Sequence, residues 1–337
     1  MESWRDIKKI ELHRHLEGSV RLQTILEAAH EAGVKLPTEN ILELKYYTSV
    51  LQPMPDLATV LKKLFVVQSV LATPGILKRI AYEACRDAFS EGIRVLELRY
   101  SPGFINFKHP SLTYDLIHEA IVAGVTQAET ELKGKLAVGL IGIISRDLGM
   151  PDADKTTDFV LNNKSTFVGF DLAGDEAGFR SSLFKSCFDK IKGQGLGITV
   201  HSGEITTKGA AKLVQESVEL LGATRIGHGV AIIHDLEVIE YVKSKNIVLE
   251  VCPTSNVRTQ IVKNIKEHPI AKLIKEGVSI TVNSDDPQFF GISLSHEYEA
   301  LAEHLDFSLS DFEKLNEVAL QATFIPKEKA RAAFKEN

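Results

Sequence analysis

Short runs of β-branched and aliphatic residues alternate with amphipathic stretches along almost the whole chain. Eight of these runs read as strands: Ile7 to His15, Ile93 to Tyr100, Leu136 to Ser145, Phe167 to Leu172, Gly197 to His201, Arg225 to Gly227, Ile247 to Cys252 and Val278 to Ser284. Helical periodicity runs through Ile76 to Ser90, Thr113 to Leu132, Lys208 to Leu221 and Pro269 to Glu276. Strands that alternate with helices predict parallel pairing through helical crossovers, and eight such units predict an α/β (β/α)8 TIM barrel. We find no linker, low-complexity segment or short repeat, so residues 1–337 are expected to form one domain. The first interval is much longer than the others. Residues from about 21 to 90 form a helical insertion after the first strand, in which Leu57, Val60, Leu61, Leu64 and Phe65 recur at helical spacing. An insertion there lies over the catalytic face of a barrel, so this stripe predicts either a lid or a helix packed on the barrel wall. From about 308 to 337, Asp311 to Thr323 and Lys327 to Phe334 read as closing helices.

Composition narrows the class. A chain of 337 residues with 44% hydrophobic and 25% charged residues can bury a large core. Its formal net charge of −6 and lack of a long basic stretch argue against nucleic-acid or anionic-membrane partners, which bind through clustered Lys and Arg. Cys85, Cys187 and Cys252 are odd in number and form no CxxC, which argues against a disulfide framework and for a reducing compartment. The N-terminal residues carry no apolar signal core, and no run of about 18 apolar residues follows. The expectation is a cytoplasmic protein.

The polar residues sort onto one end of the predicted barrel. His13 and His15 end the first strand, Asp171 to Asp175 the fourth and His201 to Glu204 the fifth. His228 follows the sixth, Cys252 to Asn256 the seventh, and Asp285 and Asp286 the eighth. Carboxyl ends are where barrel enzymes place their chemistry. His13 and His15 stand two apart in a strand, on one face with Glu11, close enough to share an ion. Together with His201 and Asp285 they make a first shell for Zn²⁺ with room for a water, whose pKa such an ion lowers to about 7. Glu204 lies just beyond the fifth strand and, with its pKa raised by burial, would be a proton donor. His228, between two glycines, is suited to orient or deprotonate the water. Asp286 beside Asp285 is a costly like-charge pair unless a metal or ligand separates their roles; a surface acidic turn before Pro287 is the other reading. Arg14, Arg146 and Arg180 are each either near this site or solvated.

These motifs, in this order, resemble the adenosine deaminase family of the amidohydrolase superfamily from about Lys9 to Ala330. The likeness rests on His13-Arg14-His15-Leu16-Glu17-Gly18, Arg99-Tyr100-Ser101-Pro102-Gly103 and Asp171-Leu172-Ala173-Gly174-Asp175-Glu176. It continues in His201-Ser202-Gly203-Glu204, Arg225-Ile226-Gly227-His228-Gly229, Cys252-Pro253-Thr254-Ser255-Asn256 and Ser284-Asp285-Asp286-Pro287. The resemblance implies a metal-dependent hydrolase with one Zn²⁺ per chain on His13, His15, His201 and Asp285, Glu204 as proton donor to the purine, and His228 positioning the water. It further implies base contacts from Asp286 and the Gly174 amide, and a lid carrying Leu57, Val60, Leu61 and Leu64. The implied reaction is hydrolytic deamination of adenosine and 2'-deoxyadenosine, with a small purine nucleoside as the sole partner inferred. One position departs from the family pattern. Glu17 stands where the family usually has a ribose-contacting Asp, and one methylene moves a carboxylate by about 1.5 Å. Glu at that position occurs in relatives acting on adenine or aminodeoxyfutalosine, the alternative substrates; a non-catalytic purine-binding relative is the remaining reading. The fourth-strand segment has no Lys, against a binuclear centre, and the lone Cys252 excludes a cytidine-deaminase-type site. Gly193-Gln194-Gly195-Leu196-Gly197 lacks the dinucleotide fingerprint and reads as a turn.

Overall fold

The computed structural model describes residues 4–54 and 57–335, except for the side chains of Leu57, Ala58 and Leu61. Eight strands pair in parallel in chain order: β1 (Lys9–His15), β2 (Ile93–Tyr100), β3 (Ala137–Ser145), β4 (Phe167–Ala173), β5 (Gly197–Ser202), β6 (Arg225–His228), β7 (Val248–Val251) and β8 (Ser279–Val282). A helical connection follows each strand, as the alternating pattern predicts. β7 and β8 are shorter than expected because the chain leaves the ladder early to deliver residues to the barrel mouth.

Between β1 and β8 the barrel is closed by a bridge at Arg14 and Asp285 rather than by a regular ladder. There the His15 amide donates to the Asp285 carbonyl at 2.8 Å and the Asp285 amide to the His13 carbonyl at 3.1 Å. Lower down, side chains stand in for strand partners: Asn283 Oδ1 accepts from the Leu12 amide (2.9 Å) and Asn316 Oδ1 from the Ile10 amide (3.0 Å). Buried amides left unpaired along this seam would each cost about 1–3 kcal/mol. The pairing of β1 with β2 shifts register between Glu11 and Arg14. That irregularity breaks the expected alternation: Glu11 joins Arg14 (2.6 Å) and the Ser284 amide (2.7 Å), away from the imidazoles it was expected to accompany.

The opposite mouth is plugged by the link between the closing helices Leu309–Ala322 and Lys327–Lys335. Glu97 Oε1 accepts from Thr323 Oγ1 (2.6 Å) and the Phe324 amide (2.5 Å), and the Arg225 guanidinium lies 3.6 Å from the Phe324 ring centroid. Space for that ring exists because β4 and β5 carry glycine there. A Cβ at Gly169 or Gly197 would fall 2.7 or 2.1 Å from Phe324 ring atoms.

The insertion holds helices Leu22–Ala32, Ile41–Thr48 and Leu57–Ser69 before Pro74–Ser90, which packs along Tyr114–Glu131 as a barrel helix. The predicted helix Lys208 to Leu221 is α-helical only over Ala210–Glu216 and widens to a π turn over Ser217–Leu221. Ser217 hydrogen-bonds back to the Leu213 carbonyl (2.9 Å) and across to Ser181 Oγ (2.8 Å), which accommodates the wider turn. Among the described residues no single helix is long and apolar enough to cross a membrane, and the three cysteines are buried and unpaired.

Helix Leu294–Leu305 braces the segment after β7 through Glu297, whose carboxylate accepts from the Thr254 amide (3.0 Å) and hydroxyl (2.9 Å). Burial pushes the Glu297 carboxyl up to about 8 against those hydrogen bonds. The folded protein therefore holds a proton that the unfolded chain releases, so the stability this group contributes is present at acid pH and is lost as pH rises toward 8. Glu297→Gln should flatten the fall in melting temperature between about pH 5 and 8; an unchanged slope would assign that fall to other groups.

Candidate active site

Five side chains from four strand ends converge at the carboxyl mouth. His13 Nε2 and His15 Nε2 lie 3.2 and 3.3 Å from Asp285 Oδ1, and His15 Nε2 lies 3.1 Å from His201 Nε2. One donor atom each from His13, His201, His228 and Asp285 also fall within 4.8 Å of one another. The backbone is specialised to allow this. A Cβ at Gly227 would sit 2.8 Å from His13 Cε1, so only glycine lets the two rings pass. His228 (φ 61°) and Asp285 (φ 62°) are in the left-handed region, a conformation that strains non-glycine residues and that functional sites retain.

Carboxylates behind the rings set their polarity. Glu250 Oε2 accepts from His13 Nδ1 at 2.7 Å and Asp171 Oδ2 from His201 Nδ1 at 3.1 Å. Each ring therefore presents an Nε2 lone pair to the mouth, that of His13 toward Asp285 and that of His201 toward His15, and His13 Nε2 is buried without a hydrogen-bond partner among the described residues. Lone pairs that face a carboxylate repel it unless a cation lies between them. Imidazole nitrogens oriented by outer carboxylates, together with one ligating carboxylate, are the donor set of a divalent transition metal. The residues fit such an ion.

Two neighbouring carboxyls are driven apart in acidity. Burial works against the Asp285 carboxylate, but positive charge on the facing imidazoles, standing where a cation would, outweighs it and holds Asp285 well below the usual range. Glu204 goes the other way: burial, then the charges of Asp285 and Glu176, push it well above. A quarter of the Glu204 side chain is still open to solvent, toward the cavity. Opposite displacement of paired carboxyls separates a charge-holding role from a proton-donating one. Glu176 fixes the Glu204 backbone, accepting from the Gly203 amide (2.9 Å), the Glu204 amide (3.4 Å) and the Ser202 hydroxyl. His228 Nε2 lies 3.2 Å from Glu204 Oε2.

Beside these groups lies a cavity of about 550 Å³ whose lining includes Val60, Gly174, Glu176, His201, Glu204 and Gln260. Gly174 (φ 106°) admits no side chain, since a Cβ would meet Asp147 Oδ2 at 2.2 Å. Asp286 is partly buried and tucked against Gly18, where a Cβ would fall 1.8 Å from its Oδ1, so the surface-turn reading does not hold. Burial, then the charge of Asp285, push its carboxyl up to about 8. Glu17 Oε1 accepts from the Ser101 amide (2.9 Å), while Oε2 is buried without a partner among the described residues. On helix Leu57–Ser69, Val60 and Leu64 pack with Phe289 and Phe290; the side chains of Leu57 and Leu61 lie outside the described residues. Arg14 is buried on Glu11 and Glu91, away from the cavity. Arg146 is buried against the His201 carbonyl (2.8 Å), and Arg180 is exposed beside Glu216.

Sequence reasoning missed Glu250 and the second role of Asp171, the carboxylates that aim His13 and His201. A signal existed: Glu250 stands two residues before Cys252 inside an otherwise apolar run, and a charge embedded in a buried strand requires a partner.

Barrel and site together define an amidohydrolase-type barrel with a His/Asp cluster at its mouth. The description "Adenosine deaminase" attaches to the family model that matches residues 8–336. An adenosine deaminase from Shewanella loihica is 36% identical over 328 residues, 97% of each chain. Among solved structures, adenine deaminase from Arthrobacter aurescens superposes with a TM-score of 0.87 at 26% identity, covering 97% of each chain. An amidohydrolase from Burkholderia ambifaria with bound Zn gives 0.86 at 25% identity, covering 98% of this chain and 90% of that one. The chain belongs to the adenosine deaminase family, whose members are hydrolytic deaminases.

Glu250→Gln should weaken binding of a divalent ion about 10- to 100-fold, because the His13 ring loses its anionic orienter. Titration of the metal-free protein with Zn²⁺ checks this, and undiminished affinity would remove Glu250 from the support of the site.

Proposed function

We propose that the protein deaminates adenosine and 2'-deoxyadenosine by hydrolysis, releasing ammonia, with one Zn²⁺ held by His13, His15, His201 and Asp285. When bound, such an ion lowers the pKa of water to about 7 and so supplies a hydroxide near neutral pH. The remaining work falls to side chains. Glu204, held protonated by burial and by its acidic neighbours, gives its proton to the ring nitrogen next to the amino-bearing carbon. That carbon thereby becomes electrophilic enough to accept the attacking oxygen. His228 steers that oxygen, whose remaining proton passes to the departing nitrogen so that it leaves as ammonia and the carbonyl of inosine forms, while the proton given up when the water ionises restores that of Glu204. Asp286, protonated, donates to a nitrogen of the five-membered ring, and the Gly174 amide donates to the base. The observation that carries this reading is the convergence of His13, His15, His201, His228 and Asp285 in one strand-end cluster, with Glu204 at its edge 3.2 Å from His228 and lining the cavity.

Helix Leu57–Ser69 serves as an apolar lid that excludes water, a role supported by Val60 lining the cavity. Leu57, Leu61 and Leu64 belong to the same face in this reading. Cytoplasmic placement agrees with three buried, unpaired cysteines.

Glu17 favours weighing a second substrate. Its free Oε2 is a buried acceptor that a ribose hydroxyl would satisfy, but the longer side chain also suits a site that takes adenine or aminodeoxyfutalosine. Ammonia release measured in parallel on adenosine, deoxyadenosine, adenine, aminodeoxyfutalosine and AMP distinguishes these. Preference for adenosine is expected; preference for the free base would reassign the substrate and leave the chemistry in place. Glu204→Gln should keep the metal and lose about 10²- to 10⁴-fold in kcat. A variant that turns over normally would take Glu204 out of the reaction.

A further inference from the structure

His228 is ambiguous by distance alone. Its ring is as close to His13, His201 and Asp285 as a fourth ligand would be, yet the proposed function makes it a donor to the attacking oxygen. A ligand needs a bare Nε2, whereas a donor needs a proton there. We infer that a buried relay from the Ile270 backbone through His268 and Asn256 fixes His228 as the Nε2–H tautomer, which makes Asn256 and His268 positioning residues and bars His228 from the metal.

The relay has a fixed starting point. A backbone amide is always a donor, and the Ile270 amide donates to His268 Nδ1 at 3.2 Å. That nitrogen must be bare, so the single proton of neutral His268 sits on Nε2. His268 Nε2 then donates to Asn256 Oδ1 at 3.2 Å. With its oxygen facing His268, the Asn256 amide presents Nδ2–H to His228 Nδ1 at 3.1 Å. His228 Nδ1 is therefore the acceptor and its proton is on Nε2, which points at Glu204 Oε2 (3.2 Å) and Asp285 Oδ2 (3.8 Å). Rotating the Asn256 amide by half a turn would set two N–H donors against each other at His268, so its orientation follows from the chain of partners.

Burial protects the relay. His228, Asn256 and His268 are 1%, 0% and 3% exposed, so bulk water offers them no other partners. His268 stays neutral because burial pushes its pKa down to about 3. The three residues come from separate segments: His228 from the end of β6, Asn256 from helix Pro253–Arg258 after β7, and His268 from the turn before Ile270–Lys275. Nothing in barrel closure requires that alignment. The contrast with His13 and His201 is chemical: those rings have a carboxylate at Nδ1 and present a lone pair, whereas His228 has an amide N–H at Nδ1 and presents a proton.

The inference rests on the proposed deaminase chemistry for its consequence but not for its direct test. ¹⁵N NMR of histidine-labelled protein, metal-free and Zn²⁺-loaded, reads the tautomer of His228, assigned by the signal lost in His228→Asn. Protonated Nε2 with bare Nδ1 is expected in both states; protonated Nδ1, or a metal-shifted Nε2, would overturn the proposal whatever the activity. Asn256→Asp keeps the shape but replaces the donor by an acceptor, which should move the His228 proton to Nδ1. Zinc content should stay at one ion per chain, kcat for adenosine should fall about 10²- to 10⁴-fold, and KM should change little. His268→Ala should lose part of kcat and His268→Gln, whose amide N–H can stand in for Nε2–H, should regain most of it. An Asn256→Asp protein with an unmoved His228 proton or unchanged kcat would refute the relay. If the wild type deaminates none of the purines, the proposed function fails while the NMR result still decides the tautomer.

Discussion

The Glu250 carboxylate is the point on which the barrel interior depends. One oxygen accepts from His13 Nδ1 and Arg99 Nη2, both at 2.7 Å, and the other from Thr199 Oγ1 (2.9 Å) and Arg225 Nε (2.6 Å). Five strands thus meet at a single side chain with no solvent exposure. Burying a carboxylate alone is prohibitively unfavourable, and several charge-assisted hydrogen bonds are needed to offset its lost hydration. Arg99 carries the network on to Asp171 (2.8 Å) and Arg225 carries it to Glu97 (2.5 Å). Three carboxylates and two guanidiniums then leave unspent acceptor capacity for the rings of His13 and His201. Each member is held by its neighbours' hydrogen bonds, which keeps the two imidazoles at fixed angles.

From that layer the molecule diverges toward its two mouths. On one side Glu97 and Arg225 hold the Thr323 to Ile325 link as a plug, and Gly169 and Gly197 make room for Phe324. On the other side the same network aims His13 at Asp285 and His201 at His15. The barrel seam contributes as well, since the bridge that joins β1 to β8 is made at Arg14 and Asp285. Closing the barrel and placing the carboxylate against His13 and His15 are one structural event. Dense packing makes such coupling rigid, because a displaced strand end would strand buried polar atoms.

Much of this was legible in the chain. Strand positions came from apolar runs, and the clustering of His13, His15, His201, His228 and Asp285 at strand ends came from the fact that parallel strands share one carboxyl face. The boundaries of β7 and β8 were read too long, because Asn283 and Ser284 leave the ladder to serve the seam, which periodicity does not register. Glu11 was read with the histidines, because strict alternation carries no sign of an irregular register. The partners of His13 and His201 lie far from them in sequence: Glu250 is 237 residues from His13. In the sequence Asn256 stands out only as part of a motif, and His268 carries no signal of its own.

The residue types and their order along the chain are enough to determine a parallel barrel and the set of groups at its mouth, since both follow from local periodicity and the common direction of the strands. Only the tertiary structure decides what each group does. Whether an imidazole offers a lone pair or a proton depends on what stands behind its other nitrogen, and that is a carboxylate for His13 and an amide for His228. Whether a carboxyl is ionised depends on whether cations or other carboxylates surround it, and this separates Asp285 from Glu204. Those neighbours come from distant segments brought together by closure of the barrel, and hydrogen-bond polarity and charge act over a few ångströms of space.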